Sequence, residues 1–245
     1  MLHAHGDAVV SCHVERVTDD VVWSRFHALL RERPAGFMIT PLLRPPHEGE
    51  DHERWLERAR TAAELGPIGH HTHYARPDHA RPRAAEDIAR VRREAEWLRN
   101  EGVAPGFFCG GGWYTDAEVA EAAAEHGYVD CTALAFCPPY LEPHRRRLQL
   151  EQPTWLQLAA GRRLLELPTT HSIGMILRAL PRRRIETPLV HVYFHDTDLL
   201  DRRRRTAIRC ALRVLALRRK PTDLAAAASA AAGAPELAFE AALRD

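Results

Sequence analysis

The sequence lacks any closely spaced cysteine pair of the CxxC kind, although it contains five cysteines, which are Cys12, Cys109, Cys131, Cys137 and Cys210. Their odd number and wide spacing argue against a disulfide framework and against a zinc site built from thiolates. We therefore expect a protein of a reducing compartment.

Long apolar runs are also absent. Nowhere do about 18 apolar residues follow one another without a charge, which is the length that a membrane-spanning helix needs. The first ten residues, MLHAHGDAVV, lack the basic stretch and long apolar segment of a secretory signal. These absences predict a cytoplasmic protein with no transmembrane segment.

Neither sign of charge is in excess, because the formal net charge is only +1. This balance, and the absence of a nucleic-acid-binding motif, predict that the protein has no nucleic-acid partner. Arginine is nevertheless clustered at 144–147, 181–184 and 201–205. These clusters are either solvated surface or contacts for a phosphate-bearing partner, such as a nucleotide- or lipid-linked substrate.

Short β-branched runs alternate with amphipathic segments along the chain. The run DAVVSCHVE predicts a strand over residues 7–15, and the next segment has helical spacing with Asp19 or Asp20 as its N-cap. Strands that alternate with helices predict parallel pairing through right-handed crossovers. About six or seven such units favour one closed or nearly closed α/β barrel that spans residues 1–245.

Two segments depart from this alternation. Residues 138–163 are rich in proline and arginine and predict a long loop. The alanine-rich segment that begins at Thr222 or Asp223 predicts a terminal helix rather than a disordered tract.

Polar residues collect after the predicted strands, where enzymes of this architecture place their catalytic groups. These residues are His13, Glu15, His71, His73, Cys109, Asp130, Glu166, His195, Asp196 and Asp198.

The segment IGHHTHYARPDH, residues 68–79, carries four histidines. Alternate side chains of a strand share a face, so His71 and His73 can bind one ion together, and His13 and Glu15 share a face for the same reason. Nitrogen and oxygen ligands suit a divalent metal, for which we expect zinc, with cobalt and nickel as alternatives. A chance HxH in a chain of 15 histidines is the competing interpretation, and His79 fits an exposed loop better than a ligand position.

The segment FFCGGGWYTD has two interpretations. In one, glycine backbone approaches a ligand and aromatic rings stack on a sugar. In the other, it is a tight turn from a strand into a helix capped by Thr115. Cys109 is either a nucleophile or, more simply, a small residue at a strand end. The substrate-binding candidates are Cys109, Gly110, Gly111, Trp113, Tyr114 and Asp196.

The segment HVYFHDTD places His191, Tyr193 and His195 on one face of a strand. His195 would reach the strand end, where an imidazole can donate a proton to a leaving group. His191 is interpreted as a packing residue.

In this order, the motifs resemble the polysaccharide deacetylase family, also called the NodB-homology or carbohydrate esterase family 4 domain, over roughly residues 7–232. The HxH of this chain resembles that of a divergent branch of the family associated with surface-polysaccharide synthesis. The resemblance implies a distorted (β/α)7 barrel and metal-dependent hydrolysis of N-acetyl groups on sugars. The last motif, VYFHDTD, gives His195 the place of the catalytic acid.

The other motifs match with substitutions. In SCHVE, His13 stands where the family has its catalytic base and Glu15 stands where it has a metal-binding carboxylate. His13 is therefore either the base or a fourth metal ligand. In IGHHTH, His71 takes the first metal position, and His73 replaces a second histidine that would fall on Ala75. Cys109 stands where the family has an arginine that orients the base.

Three functions are consistent with these residues. The first is a metal-dependent deacetylase that acts on an N-acetylated sugar or glycan precursor, with Glu15, His71 and His73 as metal ligands and His13 and His195 as catalytic groups. The second is a catalytically degenerate carbohydrate-binding or complex-forming module. The third is an amidohydrolase-like metal barrel, which ranks lower because such barrels carry HxH on their first strand.

Overall fold

The computed structural model describes residues 6–141, 146–159, 161–179 and 187–244. Numbered in chain order, the strands are β1 Asp7–Val14, β2 Ile39–Leu43, β3 Gly69–Thr72, β4 Phe107–Gly110, β5 Val129–Asp130, β6 Arg147–Leu148, β7 Thr154–Gln157, β8 Arg163–Glu166, β9 His171–Ser172, β10 Leu189–His195, β11 Lys220–Pro221, β12 Glu236–Ala238 and β13 Leu243–Arg244. The helices are α1 Asp20–Glu32, α2 His52–Ala63, α3 Ala85–Ile88, α4 Arg90–Asn100, α5 Ala117–Glu125, α6 Ile173–Arg178, α7 Arg202–Ala216, α8 Leu224–Ala230 and α9 Phe239–Ala242.

Eleven of the strands form one sheet, which runs in the order β12-β7-β8-β5-β4-β3-β2-β1-β10-β9, with β11 also paired to β1. Every pairing in it is parallel except β7 with β8. The expected α/β class with a mostly parallel sheet is therefore confirmed. Among the described residues, β12 and β9 do not pair and the sheet stays open, so the closed (β/α)7 barrel is not confirmed.

The long loop expected over residues 138–163 is wrong in part, because β6 and β7 lie within it. In β7, Thr154 and Leu156 are buried while Gln157 is exposed, so the strand has the two-residue alternation of a half-buried strand. Its partners are β8, which follows it, and β12, about 80 residues further along the chain. Four residues are too few for a clear periodic pattern, and long-range pairing decides their conformation.

Aspartates begin many of the helices. The caps of α1, α2, α5, α7 and α8 each accept hydrogen bonds from backbone N–H groups of the first turn, and these caps are Asp19, Asp51, Asp116, Asp201 and Asp223. Each such cap contributes about 1 kcal/mol. The predicted terminal helix is confirmed as α8, whereas α5 is capped by Asp116 and not by Thr115. No helix in the described part of the chain has the length and apolar character needed to cross a bilayer.

Successive residues of β1 and β10 face two different apolar clusters. Val10 and Val192 pack in the cluster under α1 and α7, whereas Val9 and Tyr193 pack in a cluster with Cys109 on the other side of the sheet. Because side chains alternate along a strand, His13 points to the same side as Val9. The sheet therefore separates an apolar helical layer from the side on which the polar strand ends collect.

Two of the three arginine clusters lie wholly or partly in the described part of the chain. Cluster 201–205 begins α7, and Arg146 of cluster 144–147 pairs with Glu240. Residues 144 and 145, as well as cluster 181–184, lie outside the described residues.

Two carboxyl groups lie side by side inside the sheet. Asp130 of β5 pairs with Glu166 of β8, and both residues are 0% exposed. Thr132 donates its backbone N–H and its hydroxyl to Asp130 Oδ1, and the N–H of Ala133 is donated to Glu166 Oε1. Burial, followed by the charge of Asp130, raises the pKa of Glu166 well above its usual range, and burial also raises the pKa of Asp130. The pair therefore holds a proton in the folded protein.

This pair gives the first prediction. An unfolded glutamate ionises near pH 4.5, so the pair stabilises the fold fully below that pH and loses this contribution as the pH rises through the raised folded pKa. We expect the free energy of unfolding of Glu166→Gln, relative to that of the wild type, to increase as the pH is raised from about 5 to about 8, because the amide keeps a hydrogen and does not ionise. Urea unfolding at several pH values measures the difference.

The matched control is Glu48→Gln, since Glu48 is exposed. Its free energy of unfolding should follow that of the wild type over the same pH range. A constant difference between Glu166→Gln and the wild type would contradict the shared proton.

Candidate metal centre

Parallel strand pairing brings the polar strand ends to one edge of the sheet. β1 lies between β2 and β10, and His13 is in register with His195. β3 pairs with β4 so that His71 is in register with Cys109. Because the carboxyl ends of parallel strands meet at the same edge, side chains from β1, β3, β4 and β10 converge there.

Glu15, His71 and His73 form a compact group of potential ligands. One ligand atom from each lies within 4.8 Å of the others. Glu15 Oε1 is 3.4 Å from His73 Nε2, and the two imidazole centroids are 5.0 Å apart. The two histidines are buried, whereas the Glu15 side chain is 27% exposed. Three protein ligands with one accessible side are typical of a catalytic metal site.

Backbone carbonyls orient both imidazoles. His71 Nδ1 lies 2.9 Å from the carbonyl oxygen of Cys109, and His73 Nδ1 lies 2.6 Å from that of Pro77. A carbonyl only accepts, so each Nδ1 carries the proton and each Nε2 keeps its lone pair. Metal-binding histidines are held in this way in many proteins.

His73 Nε2 provides a test of whether a metal fits. This nitrogen is buried and has no hydrogen-bond partner. An unsatisfied buried polar atom costs about 1–3 kcal/mol. A divalent cation would satisfy the nitrogen and would also neutralise Glu15, so the residues fit the metal that the sequence predicts.

Protonation states in the group also suit a cation. Burial raises the pKa of Glu15, but the contact with His73 and the nearby imidazoles outweigh burial and bring it to about 2. Burial, followed by the proximity of His73, lowers the pKa of His71 to about 3. At neutral pH the group therefore offers a carboxylate and a neutral imidazole, the forms that bind metals.

A second set, His13, His71 and Cys109, also brings three ligand atoms within 4.8 Å. The two sets share His71, which has only one nitrogen available to a metal. They therefore cannot each hold an ion at the same time. Burial, followed by the charges of Asp130 and Glu166, raises the pKa of the Cys109 thiol well above its usual range. A protonated thiol is a poor nucleophile. All three residues of this second set are buried, whereas Glu15 is partly exposed, so the set of Glu15, His71 and His73 is the one with the accessible side of a catalytic site.

His13 is enclosed by rings. It is 3% exposed, and its ring centroid lies 4.5 Å from that of His71, 5.0 Å from that of Trp113 and 5.4 Å from that of Tyr193. Burial, followed by the charge of His71, lowers the pKa of His13 well below its usual value. The imidazole is therefore neutral at physiological pH. Its Nε2 lies 3.7 Å from the sulfur of Cys109.

His195 lies on the accessible side of the group. Its Nε2 is 3.7 Å from Glu15 Oε1, and its side chain is 34% exposed. His191, two residues earlier on the same strand, is fully buried, with Nε2 2.8 Å from the hydroxyl oxygen of Ser11 and Nδ1 3.2 Å from the carbonyl oxygen of Leu167. The structure thus places His195 beside the ligand group and His191 in the packing.

Trp113 covers His13 and does not face solvent. Its side chain is 4% exposed, its Nε1–H donates to the hydroxyl of Tyr140 at 2.8 Å, and its ring centroid lies 4.9 Å from that of Tyr193. Its φ of 58° lies in the left-handed region, which costs about 1–3 kcal/mol and persists only where packing compensates. The indole is part of the wall of the site.

The glycine turn packs against the protein's own backbone. A Cβ at Gly110 would lie 2.0 Å from the carbonyl oxygen of Tyr114, and a Cβ at Gly111 would lie 2.3 Å from that of Thr72. Tyr114 packs on Tyr74, with ring centroids 5.5 Å apart, and donates its hydroxyl to Asp116. These contacts account for the glycines without a ligand.

Asp196 is fully buried and accepts backbone N–H groups from Glu15, Arg16 and Thr197. It ties the end of β10 to the end of β1. The structure therefore brings Asp196 to the backbone of Glu15 and not to the accessible side of the ligand group.

Several groups that shape the site have no recognisable pattern in the sequence. Tyr140 lies in the segment expected to be a loop, and the carbonyl groups of Cys109 and Pro77 have no signature. Glu94 accepts from Thr72 Oγ1 at 2.9 Å and lies 2.9 Å from His70 Nε2 on the opposite face of β3. Helical periodicity assigns residue 94 only to a helix, so its role in fixing β3 depends on the tertiary structure.

Comparisons with known proteins give structural matches only. No family model matches the sequence, and a search of the curated proteins found no match. A 4-alpha-glucanotransferase from Thermococcus litoralis superimposes with a TM-score of 0.57 at 10% identity, over 95% of this chain. The protein described here spans 41% of the length of that chain. At this identity, the match shows a shared fold.

A family 4 carbohydrate esterase from Streptomyces lividans, solved in complex with acetate, superimposes with a TM-score of 0.48 at 12% identity. The match covers 87% of this chain and 88% of the esterase.

Metal content gives the second prediction. We expect about one divalent metal ion per chain after purification without chelator, and loss of the ion in His73→Ala and Glu15→Ala, because each variant leaves only two ligands. Plasma mass spectrometry of the purified protein measures the metal. His52→Ala, which changes an exposed histidine, should keep it, and a wild type that takes up no metal on reconstitution would contradict the prediction.

The third prediction separates the two ligand sets. Cobalt bound by Glu15, His71 and His73 has no sulfur ligand, so the cobalt-loaded protein should lack an intense thiolate-to-cobalt charge-transfer band in the near ultraviolet. Cys109→Ser should leave both the spectrum and the metal content unchanged. A strong band that disappears in Cys109→Ser would assign the ion to the set that contains Cys109.

Proposed function

We propose that this protein is a metal-dependent hydrolase that removes an N-acetyl or related N-acyl group from a sugar or glycan precursor. The observation that carries the proposal is the group of Glu15, His71 and His73 with His195 beside its accessible side. Polysaccharide or glycoconjugate biosynthesis is the role that we propose for the reaction.

The proposed cofactor is one divalent ion, zinc first and cobalt or nickel as alternatives, held by Glu15, His71 and His73. When bound, the metal supplies Lewis-acid polarisation of the amide carbonyl and lowers the pKa of the attacking water. The chain's own contribution is to present two oriented imidazole nitrogens and one carboxylate.

His195 is assigned as the proton donor to the departing amine. Its side chain is partly exposed beside Glu15, so it can contact a substrate that enters from the accessible side. Amide cleavage needs this proton, because an amine leaves poorly as an anion. A positioned acid or base contributes about 10²–10⁴-fold to the rate.

His13 is assigned as the group that accepts a proton from water. Its lowered pKa keeps it unprotonated at neutral pH, which a base requires. The same lowered pKa makes it a weak base. Asp196 acts as a positioning residue, because its bonds to backbone N–H groups fix the end of β1 next to Glu15.

A fourth prediction tests the reaction. The metal-loaded wild type should release a free amine and a carboxylic acid from at least one member of a panel of N-acylated sugars. His195→Ala should lower kcat by about 10²-fold or more while it retains the metal. A primary-amine reagent and metal analysis of the same samples give both readouts.

The matched control is again His52→Ala, which should keep both activity and metal. An unchanged kcat in His195→Ala would contradict the assignment of the acid. If the metal-loaded protein gives no product from any N-acylated sugar in the panel, the proposed hydrolase activity is contradicted.

One observation favours a second candidate function, a carbohydrate-binding module without catalysis. Trp113 and Tyr193 pack over His13, and a cysteine whose thiol stays protonated lies at its Nε2. A base so enclosed has restricted access to water. Metal binding and sugar binding without turnover would support this candidate.

A further inference from the structure

A concavity lies next to the glycine turn that follows Cys109. It has a volume of about 470 Å³ and is lined by the segment 78–83, Gly112, Tyr140 and Leu141. The segment that forms one of its walls follows His73 and Pro77 along the chain. We call this concavity the arginine cleft.

The arginine cleft is joined to the metal centre through Tyr140. The Tyr140 side chain is 63% exposed and lines the cleft, while its hydroxyl accepts the Nε1–H of Trp113. The indole of Trp113 lies on His13. A ligand in the cleft therefore contacts a residue that is one aromatic ring away from the proposed base.

Two arginine side chains line the arginine cleft. Arg81 and Arg83 line it, and the acidic residue among its lining is Asp78, which is 78% exposed and lies 3.9 Å from His79. Arg83 donates to a ring nitrogen of His79. Among the described residues that line the cleft, arginines thus outnumber carboxylates by two to one.

The position of Arg81 is fixed by the glycine turn. A Cβ at Gly112 would lie 2.7 Å from Cγ of Arg81, so the arginine stem packs directly on the backbone of the turn. Gly112 has a φ of 58°, a conformation that glycine adopts readily. The turn that follows Cys109 thus holds one wall of the metal centre and one guanidinium of the cleft.

We propose that the arginine cleft binds the phosphate of a phosphorylated substrate, such as a sugar phosphate or a diphosphate-linked sugar. The sugar extends past Tyr140 and Tyr193, so that its N-acyl group reaches the accessible side of the metal centre at His195. Two guanidinium groups can neutralise a phosphate dianion, whereas a carboxylate needs one. The inference rests on the proposed function for the N-acyl group, but the phosphate contact does not require a metal.

Binding measurements test the cleft separately from the reaction. The full chain is treated with chelator and titrated calorimetrically with N-acetylglucosamine 1-phosphate, N-acetylglucosamine, glucuronic acid and pyrophosphate. We expect the two phosphates to bind at least about tenfold more tightly than the neutral sugar and the carboxylate, since charge-assisted hydrogen bonds are the strong ones. Their affinity should fall as salt is raised.

The variants are Arg83→Ala and, separately, Arg81→Gln, each of which should weaken phosphate binding about tenfold. Arg31→Ala, which removes an exposed arginine at the end of α1, should leave it within about twofold. Two cleft variants are used so that the proposal stays testable if one of them fails to fold.

Equal binding of the neutral sugar and the sugar phosphate would overturn the proposal, and so would unchanged phosphate binding in both folded cleft variants. The same loss in Arg31→Ala would also overturn it, because the effect would then come from net charge. Phosphate selectivity in a protein that neither holds metal nor turns over N-acylated sugars would support phosphate binding in the cleft and contradict the proposed hydrolase activity. Turnover of neutral substrates without phosphate selectivity would support the proposed hydrolase activity and overturn phosphate binding in the cleft.

Discussion

The site depends on the parallel placement of β1 between β2 and β10. This pairing sets His13 opposite His195 and brings the backbone of Glu15 to Asp196. A shift of one residue in register would turn the imidazole of His13 to the apolar helical layer. The buried valines on the other face of β1 make that shift costly, so the hydrophobic core fixes the geometry of the polar edge.

Orientation of the imidazoles is a second consequence of strand pairing. Cys109 offers its carbonyl to His71 because β4 is paired with β3 in that register. His73 is held in the same way by the loop carbonyl of Pro77. Both rings are fixed before any ion arrives, so ion binding would cost little side-chain entropy.

Burial explains why the centre is accessible from one direction. The rings of Trp113 and Tyr193 close the side of His13, while Glu15 and His195 stay partly exposed. The same enclosure keeps His13 neutral and Cys109 protonated. The groups of this centre that stay partly exposed to an incoming molecule are therefore the carboxylate of Glu15 and the imidazole of His195.

The sequence by itself determined the properties that repeat over a few residues. Alternation of strands and helices predicted the mostly parallel α/β sheet, and the two-residue period of a strand placed His71 with His73 and His13 with Glu15. These features are local, because side-chain direction follows from backbone geometry alone.

Only the tertiary structure decided which strands are neighbours and what surrounds each group. It left the described sheet open, paired β7 with β8 and β12, buried Trp113, and supplied carbonyls to both imidazoles. The physical reason is that contacts between distant segments depend on the packing of the whole chain, whereas composition and periodicity describe one segment at a time.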